Sequence, residues 1–185
     1  MSAIDALAQA VAVLNSGGVI AYPTEAVFGL GCDPFNATAV ARLFALKQRP
    51  LDQSVLLIAA DFAQIENLIA PIPPEILTRV RASWPGPHTW VFPRSAQVPA
   101  WLAGKHTGIA LRITAHAQTQ ALCRAFAGAL VSTSANRHGQ PPALNAAQVH
   151  SAFGSDVDFV LDGALGGQER PTPIRDALTG ELLRG

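Results

Sequence analysis

Charge is scarce in this sequence. Asp, Glu, Lys and Arg together make up 14% of its 185 residues, and thirteen bases balance thirteen acids for a formal net charge of zero. Without an excess of positive charge there is no global field to draw in nucleic acid nonspecifically. A local basic surface stays open. Cysteine is nearly absent: Cys32 and Cys123 stand alone, with no CxxC pair and no histidine at ligand spacing. That argues against both a disulfide framework and a structural zinc site. No apolar run approaches membrane-spanning length, and residues 1–9 lack a basic stretch and include Asp5. Neither a membrane contact nor a secretory leader is expected, and the expected compartment is the cytoplasm, with reduced thiols. Also missing are a Walker loop, a dinucleotide fingerprint, a GxSxG elbow and an HExxH helix, so the common motif-defined enzyme classes lose weight. The five histidines, at 88, 106, 116, 138 and 150, form no ligand or triad pattern and read as structural or surface residues.

What is present is apolar. Residues of that kind make up 49% of the chain, which favours a well-buried α/β body over a disordered chain. The length suits a single domain over 1–185. Ser2 with Asp5 resembles a capping box, and Ile4, Leu7, Val11 and Leu14 recur at helical spacing until Gly17 and Gly18 end the run. A buried strand over 19–22 then delivers Thr24 and Glu25 into a loop. A helix is predicted over 38–46, ending before Pro50, and a strand over 55–58. Asp61 with Gln64 predicts the cap of a short helix through Ile69, and another helix is expected over 75–83. Beyond the rigid turn Trp84-Pro85-Gly86-Pro87 come extended runs at 89–92 and 108–113. Helices near 118–126 and 145–153 alternate with strands at 129–133 and 158–161. This alternation points to an open α/β sheet in which some pairing is antiparallel.

A scattered polar set falls at or just beyond these element ends, and open α/β sheets bind ligands beyond strand ends. Lys47 and Arg49 leave a helix two residues apart. Lys offers a mobile point charge and Arg a planar fork, a pairing suited to polyphosphate, although cations also simply favour helix C-termini. Ser132-Thr133-Ser134-Ala135-Asn136 turns an apolar strand into a cluster of hydroxyls and an amide. Such groups can contact phosphate, ribose or an amino acid, or close a local turn. Thr24 invites the same two readings. Arg112 ends an apolar strand, where a partly buried guanidinium needs an anionic partner, either a substrate carboxylate or an internal acid.

Taken in order, residues 17–30 (GGVIAYPTEAVFGL), Lys47-Gln48-Arg49-Pro50, Trp84-Pro85-Gly86-Pro87 and Ser132-Thr133-Ser134-Ala135-Asn136 resemble the YrdC/TsaC family, single-domain bacterial type. The likeness continues through 174–181 to Leu183 and Arg184. It implies a twisted, open, mixed parallel and antiparallel α/β sheet with flanking helices and a concave active face. The implied activity is L-threonylcarbamoyladenylate synthesis, a nucleotidyl transfer making threonylcarbamoyl-AMP and pyrophosphate from L-threonine, bicarbonate or CO2, and ATP. The product would serve tRNA modification at adenosine 37 (t6A) through downstream transfer proteins, and Mg2+ would arrive with ATP as substrate. By the family pattern Lys47, Arg49, Ser134 and Asn136 are catalytic and surround ATP, with Arg184 also near the nucleotide. Thr24, Arg112, Ser132 and Thr172 match threonine-holding positions, and no protein ligand for a metal is assigned.

The sequence departs from the family at Ile58, where a histidine is frequent, at Arg112-Ile113-Thr114 for the RxP element, and at Pro171-Thr172-Pro173 for the late PST element. The alternative reading from another class is a noncatalytic double-stranded-RNA-binding or ribosome-maturation protein with at least weak RNA affinity. A carbamoyl-transfer domain of hydrogenase maturation is disfavoured by the chain's length. All of this depends on one requirement, that Lys47 and Arg49 meet Ser134 and Asn136 around a shared hollow.

Overall fold

The computed structural model describes residues 2–50, 53–169 and 172–184. Helix α1 (Ala3–Asn15) starts on the expected capping box, in which Ser2 and Asp5 satisfy each other's backbone N–H groups. Strands β1 (Ile20–Pro23) and β2 (Phe28–Gly31) follow, then α2 (Ala37–Lys47), capped by the Asn36 side chain, and β3 (Leu56–Ala59). The middle of the chain gives α3 (Pro74–Arg81), β4 (Thr89–Pro93), the short α4 (Ala100–Ala103), β5 (Gly108–Ile113), α5 (Ala117–Phe126) and β6 (Leu130–Ser134). Helix α6 (Ala146–Phe153), β7 (Phe159–Val160), β8 (Ile174–Asp176) and β9 (Leu182–Arg184) complete it.

The strands form one mixed sheet in the order β7-β1-β2-β6-β3-β5-β4-β8-β9. Pairs β1–β7, β3–β5 and β4–β8 are parallel, and the other five are antiparallel. The mixed open sheet is therefore as expected, with three strands the pattern did not announce: β2, β8 and β9. The helix expected from Asp61 is a correction. Residues 62–64 and 66–68 form two short 3-10 turns, and Asp61 makes no capping bond. Gln64 accounts for the difference, because its amide bonds the Ala60 N–H and the Cys123 carbonyl instead of supporting a helical turn.

Side chains alternate across each strand, and the two faces of this sheet have different fates. One face carries Val19, Ala21, Phe28, Leu30, Leu57, Ala59, Ile109, Leu111 and Val131 into the larger core, under α2, α3, α4 and α6. The other face carries Ile20, Tyr22, Ile58 and Leu130 beneath α1 and α5, through Ala10, Leu14, Leu122 and Cys123. That second core covers only part of its face. Continuing along the same strands with the same parity are Gly29, Leu56, Ala110, Arg112, Ser132 and Ser134, which line an open cavity.

Gly31 lies where three strands crowd together. A Cβ there would meet the Val131 carbonyl oxygen at 2.4 Å and Tyr22 Cε1 at 2.7 Å. The carbonyl belongs to backbone and cannot swing aside. Gly31→Ala is therefore expected to destabilise the protein by about 1–3 kcal/mol, as overpacking does, measured as a lowered urea midpoint with unchanged slope. An unaltered midpoint would show that β2 is free to shift.

Candidate functional site

The cavity has a volume of about 560 Å3, and eight of the nine residues singled out from sequence line it: Thr24, Arg49, Arg112, Ser132, Ser134, Asn136, Thr172 and Arg184. They arrive from six separate places along the chain. The convergence occurs on the face of the sheet, not in a crevice beyond strand ends as the strand-end argument expected. Ser132, Ala110 and Leu56 lie side by side on β6, β5 and β3 in the floor.

Lys47 is the ninth, and its side chain sits beneath the wall rather than in it. It is the last residue of α2, only 6% exposed, and its Nζ donates to the carbonyls of Ser134 and Asn136 (2.8 Å for the latter) and to Asn136 Oδ1 at 3.1 Å. An ammonium group has three donors, and all three have partners. Gln48 then adopts a left-handed conformation with φ of 53°, which turns the chain so that Arg49 heads elsewhere. Arg49 Nε donates to Gln53 Oε1 at 2.7 Å and Nη2 to the Ser54 carbonyl at 2.7 Å, with the guanidinium over the Phe44 ring. The two cations of the KxR element thus have different positions: Arg49 faces the cavity, and Lys47 holds the loop that forms its rim.

That loop is well ordered by its own bonds. Ser134 Oγ donates to Asn136 Oδ1 at 2.6 Å, and Asn136 Nδ2 donates to the carbonyls of Arg137 and Gln140. Arg137 ties the loop to α2 by donating to the Leu46 carbonyl at 3.2 Å. Thr24 Oγ1 donates to the Val27 carbonyl at 2.7 Å, which commits its proton and leaves the oxygen to act as an acceptor.

Arg49 and Arg184 form the cationic part of the wall. Among the described residues neither takes part in an ion pair, and burial followed by the charge of Arg184 lowers the Arg49 pKa. Arg112 is different: its side chain is 6% exposed, Nη1 donates to Thr172 Oγ1 at 2.7 Å, and Nη2 lies 3.3 Å from Glu25 Oε2. Burial works to raise the Glu25 carboxyl pKa. The Arg112 charge, the Thr114 hydroxyl and the Ala115 N–H outweigh it, and the pKa lies below the ordinary carboxylate value.

Sequence reasoning assigned no role to Glu25, Thr114, Gln53 or Ser54. For Glu25 a signal existed, since an acid directly after a buried strand and Arg112 at the end of another each require a buried partner. Ile58, where the family often has histidine, is fully buried opposite Arg112 in the β3–β5 register and does not reach the cavity. Thr172 reaches Arg112 as placed, while Pro171 of the same element lies outside the described residues. His116 caps α5 through Nδ1 and contacts the Ala164 carbonyl, the structural role expected for the histidines.

The family model of Sua5, YciO and YrdC proteins, described as "Telomere recombination", matches residues 12–185. The threonylcarbamoyl-AMP synthase of Coxiella burnetii (strain RSA 493 / Nine Mile phase I) is 52% identical over 176 residues, covering 95% of both chains. That of Halorhodospira halophila (strain DSM 244 / SL1) is 55% identical over 176 residues, 95% of this chain and 92% of its own. Among solved structures, P. abyssi Sua5 complexed with L-threonine superposes with a TM-score of 0.90 at 30% identity. The match covers all of this chain and 54% of that one, so this sequence spans about half of the Sua5 protein.

Burial, and then the neighbouring Arg49 charge, push the Lys47 pKa down to about 8, against about 10.4 in an unfolded chain. Below pH 8 folding carries the full penalty of the buried charge, and as pH rises from 8 toward about 10.4 the unfolded chain binds the extra proton and that penalty is relieved. The stability of wild type relative to Lys47→Met should therefore increase between pH 8 and 10 in urea titrations. A pH-independent difference would show that Lys47 titrates as an ordinary lysine.

Proposed function

The chain belongs to the Sua5/YciO/YrdC family, and from that premise we propose that it is a threonylcarbamoyl-AMP synthase, joining L-threonine, bicarbonate-derived CO2 and ATP into threonylcarbamoyl-AMP with release of pyrophosphate. The observation that carries the reading is the division of one cavity into two cationic regions. Arg49 and Arg184, without an ion pair among the described residues, supply positive charge for a phosphate chain, and Arg112 with Thr172 supplies a fixed guanidinium edge for a carboxylate. The rival reading, a noncatalytic RNA-binding protein, receives no support from relatives that are named as synthases.

Threonine's amine combines with CO2 to give a carbamate, whose oxygen attacks the α-phosphorus of ATP and expels pyrophosphate. No covalent enzyme intermediate is needed. The residues agree with such a mechanism, since burial pushes both cysteine thiols up to about 12 and neither lines the cavity. A neutral, buried thiol is not a nucleophile. The protein's contribution is alignment of two anions and compensation of charge that grows on the transferred phosphoryl group. Arg49, held by Gln53 and Ser54, is oriented before substrate arrives. Ser134 and Asn136 form the adjoining rim, and Lys47 fixes that rim from behind.

Among the described lining residues Glu25 is the sole carboxylate, and it is committed to Thr114, Ala115 and Arg112. This donor set fits Mg2+ carried on ATP oxygens with its own waters, not a protein carboxylate cage. When bound there, the ion would neutralise phosphate charge. The adenylate would pass to proteins that transfer the threonylcarbamoyl group to adenosine 37 of tRNA. Among the described residues no helix is long and apolar enough to cross a membrane.

Protein incubated with ATP, magnesium and bicarbonate should release pyrophosphate and form the adenylate, seen by mass spectrometry, only when threonine is added. Pyrophosphate release indifferent to threonine would refute the assignment. Arg49→Ala should slow threonine-dependent release by about 100-fold or more with an unchanged circular dichroism spectrum, and wild-type turnover would remove Arg49 from the mechanism. Arg112→Ala should weaken threonine binding by about tenfold or more in calorimetry, and undiminished affinity would contradict the carboxylate role.

A further inference from the structure

Glu25 is held from three directions. Its backbone is clamped by the segment 161–169, where Gly166 N donates to the Thr24 carbonyl at 3.0 Å and Gln168 N to the Glu25 carbonyl at 2.9 Å. A Cβ on residue 166 would stand 2.9 Å from Glu25 Cα, so the close approach requires glycine. Its side chain is fixed through Oε1, which accepts from Thr114 Oγ1 at 2.6 Å and from Ala115 N at 3.2 Å. The remaining oxygen, Oε2, faces Arg112 Nη2 at 3.3 Å and has no hydrogen-bond partner among the described residues.

This arrangement costs something: Oε2 and Arg112 Nε are both buried polar atoms without a hydrogen bond among the described residues. A lost hydrogen bond at a buried charge is expensive. What the geometry retains is a charge attraction that aims the guanidinium while leaving Nη1, among the described residues, bonded to the Thr172 hydroxyl alone, inside the cavity. A neutral hydroxyl is a weaker acceptor than a carboxylate, so an incoming carboxylate can take its place beside Nη1. Removing the Glu25 charge would leave a buried cation uncompensated and free to leave that orientation.

We propose that Glu25 is a positioning residue for threonine binding: its carboxylate aims the Arg112 guanidinium so that the Nη1 edge beside Thr172 meets the substrate's carboxylate. The proposal rests on the assignment of Arg112 to threonine. Glu25 acts through Arg112, does not touch substrate, and has no part in holding ATP.

The test compares threonine affinity by calorimetry and steady-state pyrophosphate release in wild type, Glu25→Gln, Arg112→Lys and the double variant, with Arg112→Ala as reference. Glu25→Gln keeps the acceptor for Thr114 and Ala115 but removes the charge. It should weaken threonine binding and raise its KM by about tenfold or more, with the ATP KM within about twofold of wild type. In the Arg112→Lys background the same substitution should cost less than about threefold, the non-additivity expected of residues acting through each other. Should Glu25→Gln fail to fold, Thr114→Val, which loosens Oε1 and keeps the charge, should raise the threonine KM by about threefold with the ATP KM unchanged. Wild-type threonine affinity in Glu25→Gln alongside its loss in Arg112→Ala would overturn the proposal alone, as would equal, additive losses across the cycle. Wild-type affinity in Arg112→Ala would overturn the assignment of Arg112 itself, and the proposal with it.

Discussion

Alternation of side chains puts Leu130, Ser132 and Ser134 on one face of the sheet, and α1 with α5 covers only the first of them. The same division runs across neighbouring strands, with Ile58 covered and Leu56 in the cavity on β3, and with Ala110 and Arg112 both in the cavity on β5. The cavity is therefore the part of a sheet face that two helices do not cover. Its floor is made of strand residues whose opposite neighbours, Val131, Leu57 and Leu111, are locked into the larger core. A floor fixed in this way can hold a reacting centre in place, because sites built on strands move less than sites built on loops.

Two buried cations then set the electrostatics, and the structure handles them differently. Lys47 is compensated by carbonyl oxygens of the very loop that forms the rim, so the cost of burying the ammonium is offset only when that loop is closed on it. Arg112 is compensated by a carboxylate fixed elsewhere, which preserves a guanidinium edge for use in the cavity. One cation shapes the wall, and the other is presented by it. Arg49 bonds only neutral oxygens of Gln53 and Ser54 among the described residues, and neither it nor Arg184 has an ion pair among them, so their field extends into the open space.

The motifs made much of this legible before any coordinates. The capping box at Ser2, the helix ending at Lys47 and the strand running into Ser134 are local features, read from residues close in sequence. Strand β2 escaped the pattern because Gly29 and Gly31 interrupt its apolar alternation, and both are glycine for lack of room or for cavity access, not for flexibility. The direction of Lys47 was equally hidden: two residues two apart at a helix end suggest a shared target, and only the left-handed Gln48 separates them. The Glu25–Arg112 pair joins residues 87 apart through the β-sheet and the start of α5, a distance that no local pattern spans.

The segment that backs the Thr24–Glu25 corner of the site is neither helix nor strand. After β7, at one edge of the sheet, the chain crosses toward β8 near the other edge, and its described part, 161–169, lies against the Thr24–Glu25 loop. An extended segment satisfies its backbone by bonding the Thr24 and Glu25 carbonyls, while Gln118 and His116 bond the carbonyls of Asp162 and Ala164. It supports that loop without itself lining the cavity. Gly163 and Gly166 allow it to lie that close, since a Cβ at either would collide with Gln118 or with the Glu25 backbone. The same crossing carries the chain to Thr172 and, through β8 and β9, to Arg184, so the stretch that backs the Thr24–Glu25 loop also leads to the last two polar groups that line the cavity.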